Sequence, residues 1–301
     1  AQTRARVLNV VKEYNFTPYS TIKNLSSSKK FLLGVLLRSS EISKGMLDGI
    51  LYTAQNNGYG VVLLESYSDP ELEAKHITKL CSTPVDGVIW EPASDDSLSS
   101  AEIFERHKIP YCITGNYNFS PTYTINFHEI GAYLTQKIVD CKHSKIACLS
   151  VVSNADGASF VSGFRSCLYN NHLPFSEASV YYEPGEKEIL ELLKQNYTAV
   201  VCNQLALILY EILDQQHIQV PEDFSITCIL PSIPPNAYLP HLSGISIPFF
   251  DFGSRLCKEV INMSENNDYT VSDYTLSFPL TLNHEKSISV INPPHKKILV
   301  V

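Results

Sequence analysis

Six cations crowd the first thirty residues: Arg4, Arg6, Lys12, Lys23, Lys29 and Lys30, against one acid, Glu13. The local net charge is +5 in a chain whose total is −8, so the remainder carries −13. Lys and Arg at this density neutralise phosphates and release counterions, which is the chemistry of polyanion binding. A basic arm on an acidic body assigns that contact to the arm. Catalytic chemistry finds little support. His128-Glu129 is not a metal-binding helix motif, because the position one turn on is Ala132. There is no GxSxG, P-loop or GxGxxG pattern, so neither an activated serine nor a phosphate-cradling loop is signalled. Carboxylates such as Asp86, Glu222 and Asp223 fall at the N-terminal ends of strands. The reading is a binding protein, not an enzyme, with no metal and no cofactor.

The elements that position these residues follow from periodicity. Val7, Val10, Val11 and Tyr14 form one apolar helix stripe, with Thr3 as N-cap and Asn15 and Pro18 ending it. Beyond residue 30, strands and helices alternate. Phe31–Leu37 is a continuous apolar run, as expected of a parallel strand buried on both faces. The spacing predicts helices over Lys44–Asn57, Pro70–Cys81, Ser99–His107, Glu129–Cys141, Gly157–Asn171, Glu186–Asn196 and Leu205–Gln215. It predicts strands over Gly60–Leu64, Val85–Trp90, Pro110–Thr114, Lys145–Val151, Ser179–Tyr182, Ala199–Cys202 and Phe224–Ile229. This β-α-β rhythm requires parallel sheets with right-handed crossovers. No apolar run reaches the ~20 residues of a membrane span. The eight cysteines have neither zinc nor CxxC spacing and read as mostly buried free thiols of a reducing cytoplasm.

Residue order adds a resemblance. Thr3-Arg4-Ala5-Arg6-Val7-Leu8, then Tyr14-Asn15-Phe16-Thr17-Pro18-Tyr19, then Ile22-Lys23-Asn24-Leu25 resembles the end of the DNA-binding domain in the lactose/galactose-repressor family of bacterial regulators. Asn57-Gly58-Tyr59, Pro84-Val85-Asp86-Gly87-Val88-Ile89, Gly163-Phe164 and Val220-Pro221-Glu222-Asp223-Phe224-Ser225 extend it through the body. The resemblance implies an α/β fold of two Rossmann-like lobes of the periplasmic-binding-protein-like type, joined by three crossovers, with a short helical N-terminal arm. The implied layout is a headpiece remnant and hinge at 1–30, an N-terminal lobe at 31–127 plus 246–273 with helix Asp251–Met263 returning to it, a C-terminal lobe at 128–245 plus 274–291 with strand Tyr274–Leu282 returning to it, and a tail at 292–301. The family's helix-turn-helix is expected upstream of Ala1.

The resemblance also implies site residues. Leu25 matches the hinge Leu that wedges into the minor groove and kinks DNA; Pro18, Tyr19, Lys23, Lys29 and Lys30 would flank it. In sugar-responsive members an Asp, an Arg and further acids clamp the ligand. Here those positions hold Asn126, Phe160, Asn203-Gln204, and Leu230-Pro231. Phe249 falls where an aromatic often stacks on the ligand. Arg38, Ser39, Glu91, Asn116, His128 and Ser153 end strands on the cleft side; each taken alone reads more simply as a cap or solvated residue. Without the Arg and the acids, the cleft favours a flatter, less polar effector than a simple hexose, or none. Operator DNA, a second copy of the chain and a small-molecule effector are the expected partners, in the cytoplasm and away from membranes. The tail has Pro293-Pro294 and no heptads, so a dimer is expected. A solute-binding receptor of the same fold, or a regulator whose input is a partner protein, remain as alternatives.

Overall fold

The computed structural model describes residues 29–40, 43–117, 122–150, 155–203, 205–230, 241–266 and 273–291. The hinge positions Pro18, Tyr19, Lys23 and Leu25, and the cleft positions Ser153 and Gln204, lie outside them. Strand β1 (Leu32–Leu37) shows why the sheet is buried on both faces. Leu33, Val35 and Leu37 enter one core, and Leu36 enters another with Ile77, Leu80, Trp90 and Phe104. Alternation across a strand directs the two sets to opposite faces.

The N-terminal lobe continues with α1 (Lys44–Asn56), β2 (Gly60–Glu65), α2 (Pro70–Ser82), β3 (Gly87–Trp90), a 3₁₀ turn (Asp95–Ser100) running into α3 (Ala101–Arg106), β4 (Tyr111–Thr114) and β5 (Thr122–Ile125). The C-terminal lobe takes α4 (Phe127–Asp140), β6 (Ile146–Ser150), α5 (Ala155–Asn170), β7 (Val180–Tyr182), α6 (Glu186–Lys194), β8 (Ala199–Cys202), α7 (Ala206–Gln215), β9 (Ser225–Ile229) and β10 (Ser243–Ile245). The chain then returns to the first lobe through α8 (Phe249–Asn266) and β11 (Tyr274–Leu276). The sheets are ordered β11-β5-β4-β3-β1-β2 and β10-β9-β8-β6-β7, and every pairing is parallel. The chain changes lobes at Asn126, at 246–248 and at 277–282.

The last strand departs from expectation. Tyr274–Leu276 joins the N-terminal sheet, not the C-terminal one, and stops well short of Leu282. It pairs with β5 in the register Tyr274↔Tyr123, Thr275↔Thr124 and Leu276↔Ile125. The Tyr123 and Tyr274 rings lie 5.5 Å apart, and Asp273 accepts the Thr122 N–H at 2.8 Å. These cross-strand contacts fix the edge. The C-terminal lobe receives the following segment instead: Asn283 N–H donates to the Gly244 carbonyl at 3.0 Å, Ser287 N–H to Ser243 Oγ at 2.9 Å, and Ser289 N–H to Ser225 Oγ at 3.1 Å. Strands β5 and β10, and the split of Ser99–His107 into a 3₁₀ turn and a shorter helix, are also new relative to the sequence reading.

Each lobe packs a pair of helices backbone to backbone. A Cβ on Gly49 of α1 would sit 2.0 Å from the Phe250 carbonyl oxygen of α8, and one on Gly131 of α4 would sit 2.3 Å from the Phe160 carbonyl oxygen of α5. Six cysteines are buried and two, Cys81 and Cys141, half-buried; all eight are free. No described helix is long and apolar enough to cross a membrane.

Candidate functional site

Because β4, β3 and β1 are neighbours in one parallel sheet, the residues just past their carboxyl ends converge. Arg38 follows β1, Glu91 follows β3, and Asn116 lies two residues past β4. The Arg38 N–H and Nη2 donate to the two Glu91 carboxylate oxygens, at 3.1 and 2.6 Å. Ser43 Oγ donates to the same carboxylate at 3.2 Å. Asp156 reaches this group from the other lobe, on the first turn of α5. Its Oδ2 accepts from Arg38 Nη2 at 3.3 Å; its Oδ1 accepts from the Asn116 N–H and Nδ2 at 3.2 and 2.7 Å. Three hydrogen bonds from the first lobe therefore end on one carboxylate of the second.

The cluster is largely withdrawn from water: the Arg38, Glu91 and Asp156 side chains are 13%, 10% and 23% exposed. Burial alone would weaken the Arg38 charge, but Glu91, Tyr117 and Asp156 outweigh it and hold the guanidinium above its ordinary value. Burial pushes the Asp156 carboxyl above the usual Asp range and Glu91 pushes it further, while Arg38 and Asn116 pull it back. Every carboxylate oxygen here is occupied. Within this cluster Arg38 Nε is a buried donor with no partner among the described residues. Tyr117, whose hydroxyl donates to the Pro92 carbonyl at 2.6 Å, flanks the group.

Two parallel-sheet lobes with polar side chains meeting at the strands' carboxyl ends form a ligand cleft. Residues 30–208 match the profile described as periplasmic binding proteins and sugar binding domain of LacI family. The chain belongs to that family. Catabolite control protein A of Streptococcus mutans is 27% identical over 284 residues, covering 87% of this chain and 84% of that protein. The HTH-type transcriptional repressor PurR of Vibrio parahaemolyticus is 27% identical over 240 residues, covering 74% and 72%. Among solved structures, the transcription regulator CcpA of Lactococcus lactis superposes with a TM-score of 0.73 at 19% identity, over 86% of this chain and 99% of that one. A LacI family transcriptional regulator from Enterococcus faecium with bound ribose gives 0.74 at 20% identity, over 87% and 100%. At these identities the structural likeness is one of fold.

Within this LacI-family body the anticipated cleft residues separate into distinct environments. Arg38 is at the site's centre. Ser39 is half-buried beside it, its carbonyl accepting the Ser43 N–H at 3.1 Å. Asn203 is buried at the end of β8, where Nδ2 donates to Ser150 Oγ at 3.1 Å. Asn126 is exposed and caps α4: its Oδ1 accepts the Glu129 N–H at 3.1 Å and its Nδ2 donates to Glu129 at 3.1 Å. His128 is half-buried, and its carbonyl faces Gly163. Phe249 is half-buried at the start of α8, packed on the core. Phe160 does not line the cleft. It is fully buried in the core, with its carbonyl against Gly131, so its ring presents no face to a ligand.

Asp156 went unnamed in the sequence reading. An acid in a helix's first turn is usually explained by the helix dipole, and its real partners come from the other lobe. The signal was its place just after β6, at the strand end where Arg38, Glu91 and Asn116 also fall. Of the arm, Lys29 Nζ is paired with Glu265 at the end of α8 at 2.9 Å. The backbone N–H groups of Lys30, Phe31 and Leu32 all donate to the Asp86 carboxylate. A second groove, of about 460 Å³ and lined by Tyr210, Asp214, His217 and Glu222 among others, lies at the opposite, N-terminal end of β9.

Proposed function

We propose that this chain is the effector-binding body and hinge of a DNA-binding transcription regulator, acting as a homodimer on operator DNA as a repressor. The observation that carries this reading is the pair of parallel-sheet lobes meeting at a polar cleft, in a chain of the LacI family. Its relatives' names support it: the similar curated proteins are called catabolite control protein and transcriptional repressor. The cations at Lys23, Lys29 and Lys30 would neutralise phosphate and Leu25 would wedge a base step. The eight free thiols suit a reducing cytoplasm. The input is a small molecule received between the lobes, and a plain hexose is not expected. Removing the gene should derepress a discrete set of transcripts, and restoring it should silence them. Restoring it as Leu25→Ala should leave them derepressed, whereas an unchanged transcript profile on deletion would reject the regulator reading.

A further inference from the structure

The three donors that hold Asp156 all belong to the N-terminal lobe, and all would exist without it. Arg38 is oriented by Glu91, which takes both its backbone N–H and its Nη2. Glu91 is fixed in turn by Ser43 Oγ and by its own N–H on the Leu36 carbonyl at 2.8 Å. Asn116 is oriented by its second Nδ2 contact, to the Ile125 carbonyl at 3.2 Å. This is a pre-set array of N–H groups with carboxylate spacing: a guanidinium for one oxygen, a backbone and a side-chain amide for the other.

The array has spare capacity of one kind. Arg38 Nε, also buried, has no partner among the described residues, and an unmet buried donor calls for an acceptor. Asp156 itself comes from the other lobe, on the first turn of α5.

We propose that Arg38 and Asn116 form a carboxylate subsite on the N-terminal lobe, that Asp156 fills it as a tethered occupant in the unliganded protein, and that the effector bears a carboxylate which displaces Asp156. The effector part rests on the regulator reading of the cleft; the subsite stands on its own geometry. Displacement exchanges one carboxylate for another on the same donors. It engages Arg38 Nε as well, and it releases α5 from the first lobe. The effector then acts by trading a fixed bond between the lobes for its own contacts, so occupancy and lobe separation are coupled by competition for one array.

The test is refilling of the array in the whole chain, read by small-angle X-ray scattering and by the emission of Trp90, the single tryptophan, which directly precedes Glu91. Asp156→Ala should enlarge the radius of gyration, because it removes all three bonds between the lobes at this site. Sodium formate at tens of millimolar should fill the vacated array and shift the Trp90 emission along a saturating curve while the radius of gyration stays enlarged, because a free carboxylate carries no bond to α5. Formamide, a neutral planar mimic, and sodium chloride should not shift the emission. The double variant Arg38→Met with Asp156→Ala should lose the response to formate. Asp156→Asn, which keeps the side chain's size, serves if the alanine variant folds poorly; its amide, like formamide, places an N–H against an array of donors, so formate should still shift the emission, at a higher midpoint. No response of folded Asp156→Ala to formate, or an equal response to formamide, overturns the proposal. None of these readouts involves DNA, so a failed regulator reading leaves a formate response intact, and the converse also holds.

Discussion

Gly253 lies against the backbone of Met46: a Cβ added there would sit 1.9 Å from the Met46 carbonyl oxygen. Gly163 has the same relation to His128 in the other lobe, also at 1.9 Å. The helix pairs α1–α8 and α4–α5 thus share one packing device, a glycine that admits a neighbouring carbonyl. A side chain there must push two backbones apart, and no rotamer change relieves it.

Gly253→Ala should therefore cost about 3 kcal/mol or more in urea unfolding, at the upper end of overpacking substitutions. Gly58 is the control for a different need. Nothing lies within 4 Å of its would-be Cβ, but its φ is +78° as it ends α1. Gly58→Ala should cost about 1 kcal/mol, and Gly58→Asn less, because Asn tolerates the left-handed region. Equal losses at Gly253 and Gly58 would contradict the size argument.

Asp86 gathers the N–H groups of Lys30, Phe31 and Leu32 where the arm joins β1. Phe31 takes a left-handed φ of 55° to permit it. Asp86→Ala should cost about 1.5–3 kcal/mol, the range for hydrogen bonds to a charged group. It should also speed hydrogen exchange at those three amides well beyond the change at Leu33–Leu37. Unaltered exchange at residues 30–32 would show that the carboxylate does not hold the arm.

Asp156 gives a pH dependence with a definite sign. The groups facing it are Arg38 beyond β1, Glu91 beyond β3, and Asn116 and Tyr117 beyond β4. Burial, foremost, and Glu91 raise its pKa on folding. The folded state then binds the proton more tightly than the unfolded chain. The stability this group contributes is full below its unfolded value, near about 4, and is lost as pH rises through the folded value. At pH 7 Asp156→Asn should melt no lower than the wild type, and any lead should close as the pH falls toward 4. A wild type that melts well above the variant at pH 7, and loses that advantage in acid, would reverse the sign. This readout concerns global unfolding and is separate from the spacing of the lobes.

Tyr52 on α1 and Phe250 on α8 present two rings in tilted contact at the surface, 59% and 43% exposed with centroids 5.5 Å apart. An apolar pair on the flank of the first lobe suits the dimer proposed above. Tyr52→Glu with Phe250→Glu should convert a dimer to a monomer in sedimentation at micromolar concentration while leaving the melting of the monomer's lobes intact. A wild type that sediments as a monomer would count against the dimer.

Much of the fold was legible because its signals are local. The run at β1 declares burial on both faces, and α5 declares its buried stripe through Phe160, Gly163, Phe164 and Cys167 at helical spacing. The sequence reading followed the family resemblance and put Phe160 in the cleft, where the stripe's spacing alone marks it as core. Strand β10 was hidden because it is short and polar: Ser243 and Gly244 earn their place by bonds to Ser287 and Asn283. The lobe that β11 joins was hidden because its partner Thr124 lies 151 residues away from Thr275. The site was half visible. Strand ends could be marked, but the convergence of Arg38, Asn116 and Asp156 depends on sheet order and on how the lobes meet.

Helix α8 begins at Phe249, directly after the crossover at 246–248, and ends beside Glu265, which holds Lys29. Its 18 residues make a rod roughly 27 Å long at 1.5 Å per residue, keyed into α1 by Gly253 and Gly49. The rod spans the first lobe from the pivot to the point where the basic arm leaves it. One continuous helix thus joins the crossover at 246–248 to Lys29, the first described residue of the arm.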